Sequence, residues 1–559
     1  MEGAINRVPD LERTGIKSTV CGPESFTPDH KPLMGEDPNV EGFFHCCGFN
    51  SAGMMFGGGC GNQMAHWVTK GRPELDMFSF DIRRFNPTTT RDKTWVVPRC
   101  HEAYAKNYSI PYPHDEPLAG RGRIKDPLHD ILVKEGCVFQ ERHGWERPGW
   151  FNSSEAPVPP YDWYGYYDNE LAPDNRYKNA LTADYTFDNP PHHDFIGKEC
   201  LAARTKAALF NMSYFGQIFM SGPDAQKAAD WLFTANMQRD VGAVVYTCML
   251  NEKGGAEADL TVGILEGSES CPWEPQFKER GFYLAIGGAA TLQNKAHVLK
   301  QCRLHGWDVT LTDRSDDMGL LSLQGPKSRE ILQQVTDADL SNEGFPFSTH
   351  KIIDVAGHKV RAIRLSFVGE LGWEMHVPFE ASIPVYQALR SAGEKFGLVN
   401  GGYRALDSLS LEKGYVHWHG DLRPDDTPLE AGLGFACKLK TSTPFLGRAA
   451  LEKQKEEKIR KKLVTFTVND PTVSLFGMEG LLRNGEHVGL TRRGEYAFYL
   501  KEVVARGYVQ MPCKEPITKE FLSTGDWEID VRGDKYPITV HTKQPFDPKN
   551  QRVKGFYEN

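Results

Sequence analysis

A glycine-rich turn between two apolar segments is the feature that most constrains the fold. Val244–Leu250 is largely apolar and predicts a buried strand. Residues 251–255 follow with Asn, Lys and two glycines, which tolerate the positive φ angles of a tight turn. Apolar residues then alternate with others over residues 259–265, which predicts a second strand. The two strands form a hairpin, and Asp259 stands at the start of the second one.

Two interpretations are consistent with the position of Asp259. A carboxylate just past a glycine turn can face water at the end of a hairpin, as most acidic side chains do. It can also enter a cleft, because the glycines leave no bulky neighbour to block its path. Spacing alone does not choose between the exposed acid and the cleft acid.

The chain repeats one local design. A strand predicted over residues 215–220 leads into Gly222-Pro223 and then into a helix, where proline suits the first turn. Residues 320–324 lead in the same way into Gly325-Pro326 and a second amphipathic helix. Two similar modules of this kind can enclose a ligand cleft between them.

Length and charge limit the class of protein. A chain of 559 residues is long enough for several domains with their own cores. The net charge of −9 comes from acidic residues spread along the chain, so no nucleic-acid surface is predicted. The 12 cysteines show no metal-ligand spacing, and we interpret them as reduced thiols of an intracellular protein without a metal site.

Residues 43–65 lack formally charged side chains, but they do not predict a membrane span. Repeated glycines and polar residues such as Gln63 interrupt the apolar character. We expect instead a buried strand over residues 43–49, a loop of small residues, and a helix that reaches Trp67. The first residues of the chain show neither a signal peptide nor an arginine-rich transit segment.

Glu374 is a second acidic residue in an unusual setting. It lies among apolar residues in a strand predicted within residues 365–378. A carboxylate in such a place must be solvated, paired or used, because burying an unpaired charge is costly. A pterin ring presents an amino group and a ring N–H side by side, and one carboxylate can accept both hydrogen bonds. An ordinary surface or ion-paired glutamate is the alternative.

Three stretches, in the same order along the chain, resemble the aminomethyltransferase (glycine cleavage T-protein) family. They are residues 246–260, 365–378 and 401–414. The resemblance implies a folate-binding domain in which Asp259 carries the chemistry against tetrahydrofolate. It also implies that Glu374 accepts the hydrogen bonds of the pterin ring.

The same resemblance extends to other positions and shows two departures. Arg404, in the helix predicted over residues 401–414, would lie near a folate carboxylate or a pterin oxygen; a plain ion pair with a neighbouring acid is the alternative. Phe367 stands where the family commonly has tyrosine, so a stacking ring is kept and a hydroxyl contact is lost. Near Gly287 the family usually has an asparagine, whose hydrogen bond this chain lacks.

Residues 26–35 and the loop after them resemble the flavin-facing end of the amine-oxidising flavoproteins. Small residues and a helix start allow close approach to a flat ring and offer free N–H groups. The family's G-x-G-x-x-G phosphate turn does not occur in the chain, so only the C-terminal part of a flavin domain is expected. The cofactor-binding residues implied by the resemblance are Gly48, Phe49, Asn50, Ser51, Ala52, Gly53 and Met54.

Taken as a whole, the chain resembles the sarcosine dehydrogenase family of flavin enzymes. That resemblance implies oxidation of sarcosine to glycine on FAD, with the one-carbon unit passed to tetrahydrofolate. It also implies electron-transfer flavoprotein as a partner and the mitochondrial matrix as the location. Two alternatives remain: a dimethylglycine dehydrogenase-like enzyme, or a non-catalytic regulator like the regulatory subunit of pyruvate dehydrogenase phosphatase.

These patterns and resemblances together predict a multidomain α+β fold. The expected parts are the C-terminal portion of an α/β flavoprotein domain (residues 1–85), a central oxidoreductase segment (86–146), a T-protein-like folate domain (147–440) and an antiparallel β-barrel (455–548).

Overall fold

The computed structural model describes residues 2–152, 182–273, 279–511 and 515–557. Residues 153–181, which belong to the predicted folate domain, lie outside the described residues. The described chain consists of a small α/β segment, two large sheets with helices on their outer faces, and a closed barrel. This architecture confirms the predicted α+β fold class and its C-terminal antiparallel barrel.

The first part of the chain forms the small α/β segment. Its strands pair as β1 (Leu33–Glu36) with β2 (Phe44–Cys47) and as β3 (Cys137–Arg142) with β4 (Trp145–Phe151). Its helices are α1 (Glu2–Arg7), α2 (Gly53–Lys70), α3 (Pro87–Thr90), α4 (Lys93–Ala105) and α5 (His129–Lys134). Over the described residues, no helix combines the length and the apolar character that crossing a bilayer requires.

The strand expected over residues 43–49 is shorter and less buried than predicted. Only Phe44–Cys47 pairs as a strand, and Cys46 and Cys47 are exposed, as is half of Phe43. The strand has one neighbour, β1, so its apolar side chains are not enclosed on every side. An apolar composition therefore did not indicate burial here.

The central part of the chain contributes eleven strands and six helices to the described structure. The strands are β5 (Ala207–Asn211), β6 (Gly216–Ser221), β7 (Val244–Leu250), β8 (Ala256–Glu266), β9 (Arg280–Ile286), β10 (Thr310–Asp313), β11 (Met318–Gln324), β12 (His350–Val355), β13 (His358–Ile363), β14 (Gly372–Pro378) and β15 (Leu398–Gly401). The helices are α6 (His193–Thr205), α7 (Ala225–Leu232), α8 (Thr291–His305), α9 (Ser328–Leu332), α10 (Phe379–Gly393) and α11 (Tyr403–Lys413).

These strands form two sheets that face each other. Their orders are β10-β6-β9-β8-β7 and β12-β13-β14-β11-β5-β15, and only β5 and β15 pair in parallel. Helices α7 and α8 cover the outer face of the first sheet, and α9 and α10 cover that of the second. The inner faces meet through a cluster that includes Phe219 and Tyr283 on one side and Met318 and Ile363 on the other.

The hairpin predicted around the glycine turn is present as β7 and β8, and its second strand begins earlier than expected, at Ala256. Leu260, Val262 and Ile264 pack into the core beneath α7 and α8. Because strand side chains alternate, Asp259 points to the opposite face, toward the other sheet. The hairpin therefore aims its carboxylate inward and not at bulk water.

The repeated strand, Gly-Pro turn and helix appear at β6–α7 and β11–α9. Gly222 and Gly325 have φ angles of +118° and +127°, a conformation that side chains rarely adopt. A Cβ atom at Gly325 would lie 2.7 Å from the carbonyl oxygen of Lys206, and one at Gly222 would lie 2.6 Å from that of Asp308. Each sheet thus has one such module.

The last part of the chain is the barrel. Helix α12 (Arg448–Glu457) precedes it, and the strand order is β16-β19-β18-β17-β20-β21 with closure between first and last. The strands are β16 (Lys461–Val468), β17 (Gly480–Arg483), β18 (Glu486–Ala497), β19 (Glu502–Gln510), β20 (Trp527–Val531) and β21 (Asp534–His541), with α13 (Lys519–Ser523) between β19 and β20. Closure leaves no unpaired sheet edge.

We expect Gly325→Ala to destabilise the protein by about 2–4 kcal/mol, because left-handed strain and overlap with backbone atoms add. Gly357→Ala is the matched control: its φ is +82°, but a Cβ atom there meets nothing within 4 Å. The control should lose about 1–2 kcal/mol from strain alone. Denaturant unfolding measures both, and equal losses would show that the close approach at Gly325 is unimportant.

Candidate active site

A cavity of about 2090 Å³ lies where the two sheets meet the barrel. Its walls come from both sheets, α11, residues 414–420 and the first strand of the barrel. Ordinary small-molecule pockets occupy roughly 300–1,000 Å³. The cavity therefore has room for a ligand of the size of a folate.

Asp259 on β8 lines this cavity beside Tyr246 on β7. The Tyr246 hydroxyl donates a hydrogen bond of 2.7 Å to Oδ2 of Asp259. Burial raises the pKa of Asp259 to about 6, although the hydrogen bond from Tyr246 opposes the rise. Burial raises the pKa of Tyr246 well above its usual range, so this hydroxyl keeps its proton. A carboxyl with a pKa near neutrality can exchange a proton with a ligand at physiological pH.

Glu374 on β14 also lines the cavity, and only 7% of its surface is exposed. It lies opposite Ser322 of β11 and Ile363 of β13. Nε2 of His376 lies 3.8 Å from Oε2 of Glu374, which is longer than a hydrogen bond. The carboxylate is therefore buried, close to a polar neighbour, and still able to accept hydrogen bonds from a ligand.

His376 lies on β14 close to Glu374 and connects this strand to the other sheet. Two residues apart on a strand, both side chains face the gap between the sheets. The Tyr283 hydroxyl donates a hydrogen bond of 2.7 Å to Oε1 of Gln217, and its oxygen lies 2.7 Å from Nδ1 of His376. Burial lowers the pKa of His376, which favours the neutral ring. A hydrogen-bonded chain across both sheets thus holds the strand that carries Glu374.

Phe367 lies in the loop between β13 and β14 and lines the same cavity. The hydroxyl of Ser366 accepts hydrogen bonds of 2.9 and 3.0 Å from the backbone N–H groups of Gly369 and Glu370, which shape the loop. The Phe367 ring meets His417 edge to face, with 6.3 Å between centroids. An aromatic ring in the cavity wall can stack against a flat ligand.

Arg404 is not among the residues that line the cavity. Its Nη1 donates to Oδ1 of Asp184 at 3.0 Å, and the pair is buried. The residues of α11 that line the cavity are Tyr403, Leu406, Asp407 and Lys413, spaced along one face of the helix. Arg404 lies on another face of the same helix, so the structure separates it from Asp259, Glu374 and Phe367, which it brings together.

Gly287 lies in the cavity wall after β9. A Cβ atom there meets nothing within 4 Å, whereas one at Gly288 would lie 2.0 Å from the carbonyl oxygen of Tyr214. Open space faces the position at which the resembling family has an asparagine. Glycine at this position therefore leaves open space in the cavity wall.

Sequence reasoning missed several polar groups of this site. Tyr246 could have been found by pairing β7 with β8, since it lies close to Asp259 across the hairpin. His417 could not, because it reaches the cavity from an irregular segment after α11. Its Nε2 is 3.4 Å from the Tyr403 hydroxyl and its Nδ1 is 3.7 Å from Asp407.

The predicted flavin-facing residues form the loop between β2 and α2 and the start of α2. Asn50 is buried, and its side chain accepts from the Thr27 N–H at 2.8 Å. Gly53 and Met54 are exposed at the first turn of α2. In the described part this loop is an open surface that suits one side of a flat ring, and it does not enclose a dinucleotide.

Fold and site together define a T-protein-like folate domain joined to part of a flavin oxidoreductase. Residues 128–441 match the family described as GCVT N-terminal domain, and residues 461–547 match the glycine cleavage T-protein C-terminal barrel domain. Residues 1–67 match FAD dependent oxidoreductase, and residues 70–123 match its central domain. Because the first match spans more than half of the chain, the chain belongs to the glycine cleavage T-protein family.

The chain is also similar to individual proteins. It is 58% identical to mitochondrial sarcosine dehydrogenase of Mus musculus and 57% identical to that of Homo sapiens, in both cases over 100% of this chain and 61% of the relative. It thus spans about three-fifths of the length of these mitochondrial relatives. The structure of glycine cleavage system aminomethyltransferase T from Bartonella henselae shares the fold, with a TM-score of 0.57, 21% identity, and coverage of 77% of this chain and 99% of that one.

We expect Glu374→Gln to weaken tetrahydrofolate binding by roughly 10–100-fold, because hydrogen bonds to a charged acceptor contribute about 1.5–3 kcal/mol. The amide also presents a donor to the pterin amino group. Isothermal calorimetry measures the affinity. Glu380→Gln is the matched control, because Glu380 is an exposed residue of α10. Equal affinity of the two variants would remove Glu374 from the binding site.

Proposed function

We propose that this chain carries the folate-dependent half of a flavin-linked sarcosine dehydrogenase. The reaction is oxidative demethylation of sarcosine to glycine, with transfer of the one-carbon unit to tetrahydrofolate. The observation that carries the proposal is the Asp259–Tyr246 pair in the same cavity as Glu374. The 58% identity to a sarcosine dehydrogenase supports the choice of substrate.

Asp259 is the acid–base group of the transfer step. Tetrahydrofolate, when bound, supplies amine nitrogens that accept a one-carbon unit. Tyr246 occupies Oδ2 of Asp259, so we assign to Oδ1 the proton that leaves the attacking nitrogen. With a pKa of about 6, Asp259 is mostly ionised at neutral pH and ready to accept that proton.

Glu374 and Phe367 orient the ligand for that step. Glu374 accepts hydrogen bonds from the pterin amino group and ring N–H, and the Phe367 ring stacks on the pterin. Burial in the gap between two sheets keeps bulk water from competing for the one-carbon unit. Arg404 has no direct role in this arrangement, because it is paired with Asp184 outside the cavity.

The oxidative step belongs to a flavin site that Gly48–Met54 cover on one side. FAD, when bound, supplies the oxidant for the N-methyl group of sarcosine. Of these residues Ser51, Gly53 and Met54 are exposed, and Asn50 is buried. Electron-transfer flavoprotein as the electron acceptor, and the mitochondrial matrix as the location, are part of this proposal. The mitochondrial relatives support a location in the mitochondrion.

The proposed domains are residues 1–85, 86–146, 147–440 and 455–548. The alternatives, a dimethylglycine dehydrogenase-like enzyme and a non-catalytic regulator, are not better supported than sarcosine dehydrogenase. A regulator has no need of an acid with a raised pKa that shares a cavity with a buried glutamate, whereas a folate enzyme uses both.

Calorimetric titration of the chain with tetrahydrofolate tests the folate half of the proposal. We expect saturable binding, with p-aminobenzoylglutamate, which lacks the pterin, binding far more weakly. Absence of heat and of any thermal stabilisation by tetrahydrofolate in a folded sample would favour the regulator. In a form that also carries a complete flavin domain, a higher kcat/KM for sarcosine than for dimethylglycine separates the two enzymes.

We expect Asp259→Asn, in that longer form, to separate oxidation from transfer. Flavin reduction by sarcosine should be near normal, because Asp259 lies in the cavity between the sheets. One-carbon transfer should fall by roughly 10²–10⁴-fold, the usual contribution of a positioned acid–base group. Free formaldehyde should rise at the expense of methylenetetrahydrofolate. Unchanged formaldehyde at saturating folate would leave Asp259 without a catalytic role.

The pH dependence of transfer gives a second test. If ionised Asp259 is the base, the rate rises with pH through about 6. Tyr246→Phe removes a hydrogen bond that lowers the pKa of Asp259, so the rising limb should move to higher pH. Tyr403→Phe is the control, since that hydroxyl contacts His417 and not Asp259. If the transfer rate rose over the same pH range in both variants, Asp259 would not be the base.

A further inference from the structure

We propose that Arg147 forms a carboxylate-binding subsite inside the cavity, separate from Asp259 and Glu374. The inference rests on the proposed function only in taking the cavity as the ligand site. Arg147 lies on β4, in the hairpin β3–β4, and its side chain lines the cavity from that side. It lies outside the three stretches that resemble the aminomethyltransferase family, and it is not one of the expected folate contacts.

Arg147 is buried but lacks a hydrogen-bond acceptor. Only 7% of its surface is exposed. Its guanidinium lies 3.5 Å from the ring centroid of Tyr403 and 5.9 Å from that of Tyr214. Its Nε atom is shielded from solvent and has no hydrogen-bond partner. Among the described residues, no carboxylate or carbonyl oxygen accepts a hydrogen bond from this side chain.

The other buried arginines in the described part of the chain all have hydrogen-bond acceptors. Each of them donates to a carboxylate or to a backbone carbonyl. Arg204, for example, donates to Glu412 at 2.7 Å, and Arg364 donates to the carbonyl of Phe345 at 2.6 Å. The missing acceptor at Arg147 is therefore specific to this cavity wall.

Stacking alone does not account for this arrangement. A cation over an aromatic face gains electrostatic attraction, but it leaves the in-plane N–H donors of the guanidinium without acceptors. Burying an unpaired charge is costly, and natural proteins compensate such charges. The compensation available here is an anion brought in by a ligand.

The chemistry of the wall favours a carboxylate over a phosphate. The planar guanidinium of Arg147 presents its donors in one plane, which matches the two oxygens of a carboxylate. A phosphate also has oxygens outside that plane, and Arg147 alone does not reach them. The neighbouring Arg142 is already committed, because its Nη1 donates to Oε1 of Glu116 at 2.8 Å.

Two carboxylates could come from the proposed reaction. One belongs to the amino acid, sarcosine or glycine, and the other to the glutamyl part of the folate. Both have the same chemistry toward Arg147, and they differ in which ligand loses affinity when the guanidinium is removed. Tetrahydropteroate, which has the pterin and the aminobenzoyl group but no glutamate, separates them.

The test is calorimetric binding of tetrahydrofolate, tetrahydropteroate and glycine to the chain and to Arg147→Met. Lys440→Met is the matched control, since Lys440 also lines the cavity and carries the same charge but is exposed. We expect a roughly 10–100-fold loss of affinity for the carboxylate ligand in Arg147→Met, and little change in the control. Arg147→Lys keeps the positive charge but lacks the planar guanidinium, so its affinity for the carboxylate ligand should fall to a smaller extent. If Arg147→Met does not fold, Arg147→Lys provides the test.

Each outcome has one meaning. Weaker tetrahydrofolate with unchanged tetrahydropteroate supports the subsite and assigns it to the glutamyl carboxylate. Weaker glycine with both folates unchanged supports it and assigns it to the amino acid. Equal loss for both folates, or no loss for any ligand, overturns the proposal. If the unmutated chain binds neither folate, the proposed function fails instead, and glycine binding still tests the subsite.

Discussion

Much of the cavity wall depends on one buried guanidinium. Arg204 of α6 donates to Glu370 at 3.0 Å and to Glu412 at 2.7 Å, and all three are shielded from solvent. Glu412 also accepts from two backbone N–H groups of the barrel, and Glu370 accepts from Arg552 near the end of the chain. This network fixes α11, the loop before β14, the barrel and the C-terminal residues to one another. Loss of one partner leaves a buried charge uncompensated, at a cost of about 3–5 kcal/mol.

Local sequence patterns predicted those parts of the fold that are determined by residues close together in the sequence. The turn of residues 251–255 and the alternation after it predicted β7 and β8, because hairpin geometry is set by the turn. The Gly-Pro turns at Gly222 and Gly325 predicted the two units of strand, turn and helix, β6–α7 and β11–α9. Glu374 was predicted to lie in a strand among apolar residues, with an exposed or ion-paired position as the alternative. It lies in β14 and is buried.

The sequence was less informative where side chains from distant segments meet. Arg404 was placed near the folate by resemblance, but the helical period of α11 directs it to Asp184. The strand expected over residues 43–49 was called buried on its composition, yet burial depends on neighbours that composition does not reveal. Arg147 and His417 lie outside the three stretches that resemble the aminomethyltransferase family, and only the assembled structure shows that they line the same cavity as Asp259.

The position of the cavity between the two sheets has a thermodynamic consequence. Asp259 belongs to one sheet and Glu374 to the other, so neither module alone holds a ligand that contacts both. Such a ligand binds only the assembled protein, and binding therefore stabilises the packing of the sheets by mass action, by RT ln(1 + [L]/Kd). Ligand occupancy and structural integrity of this chain are thus linked, and the ligand acts as part of the core between the sheets.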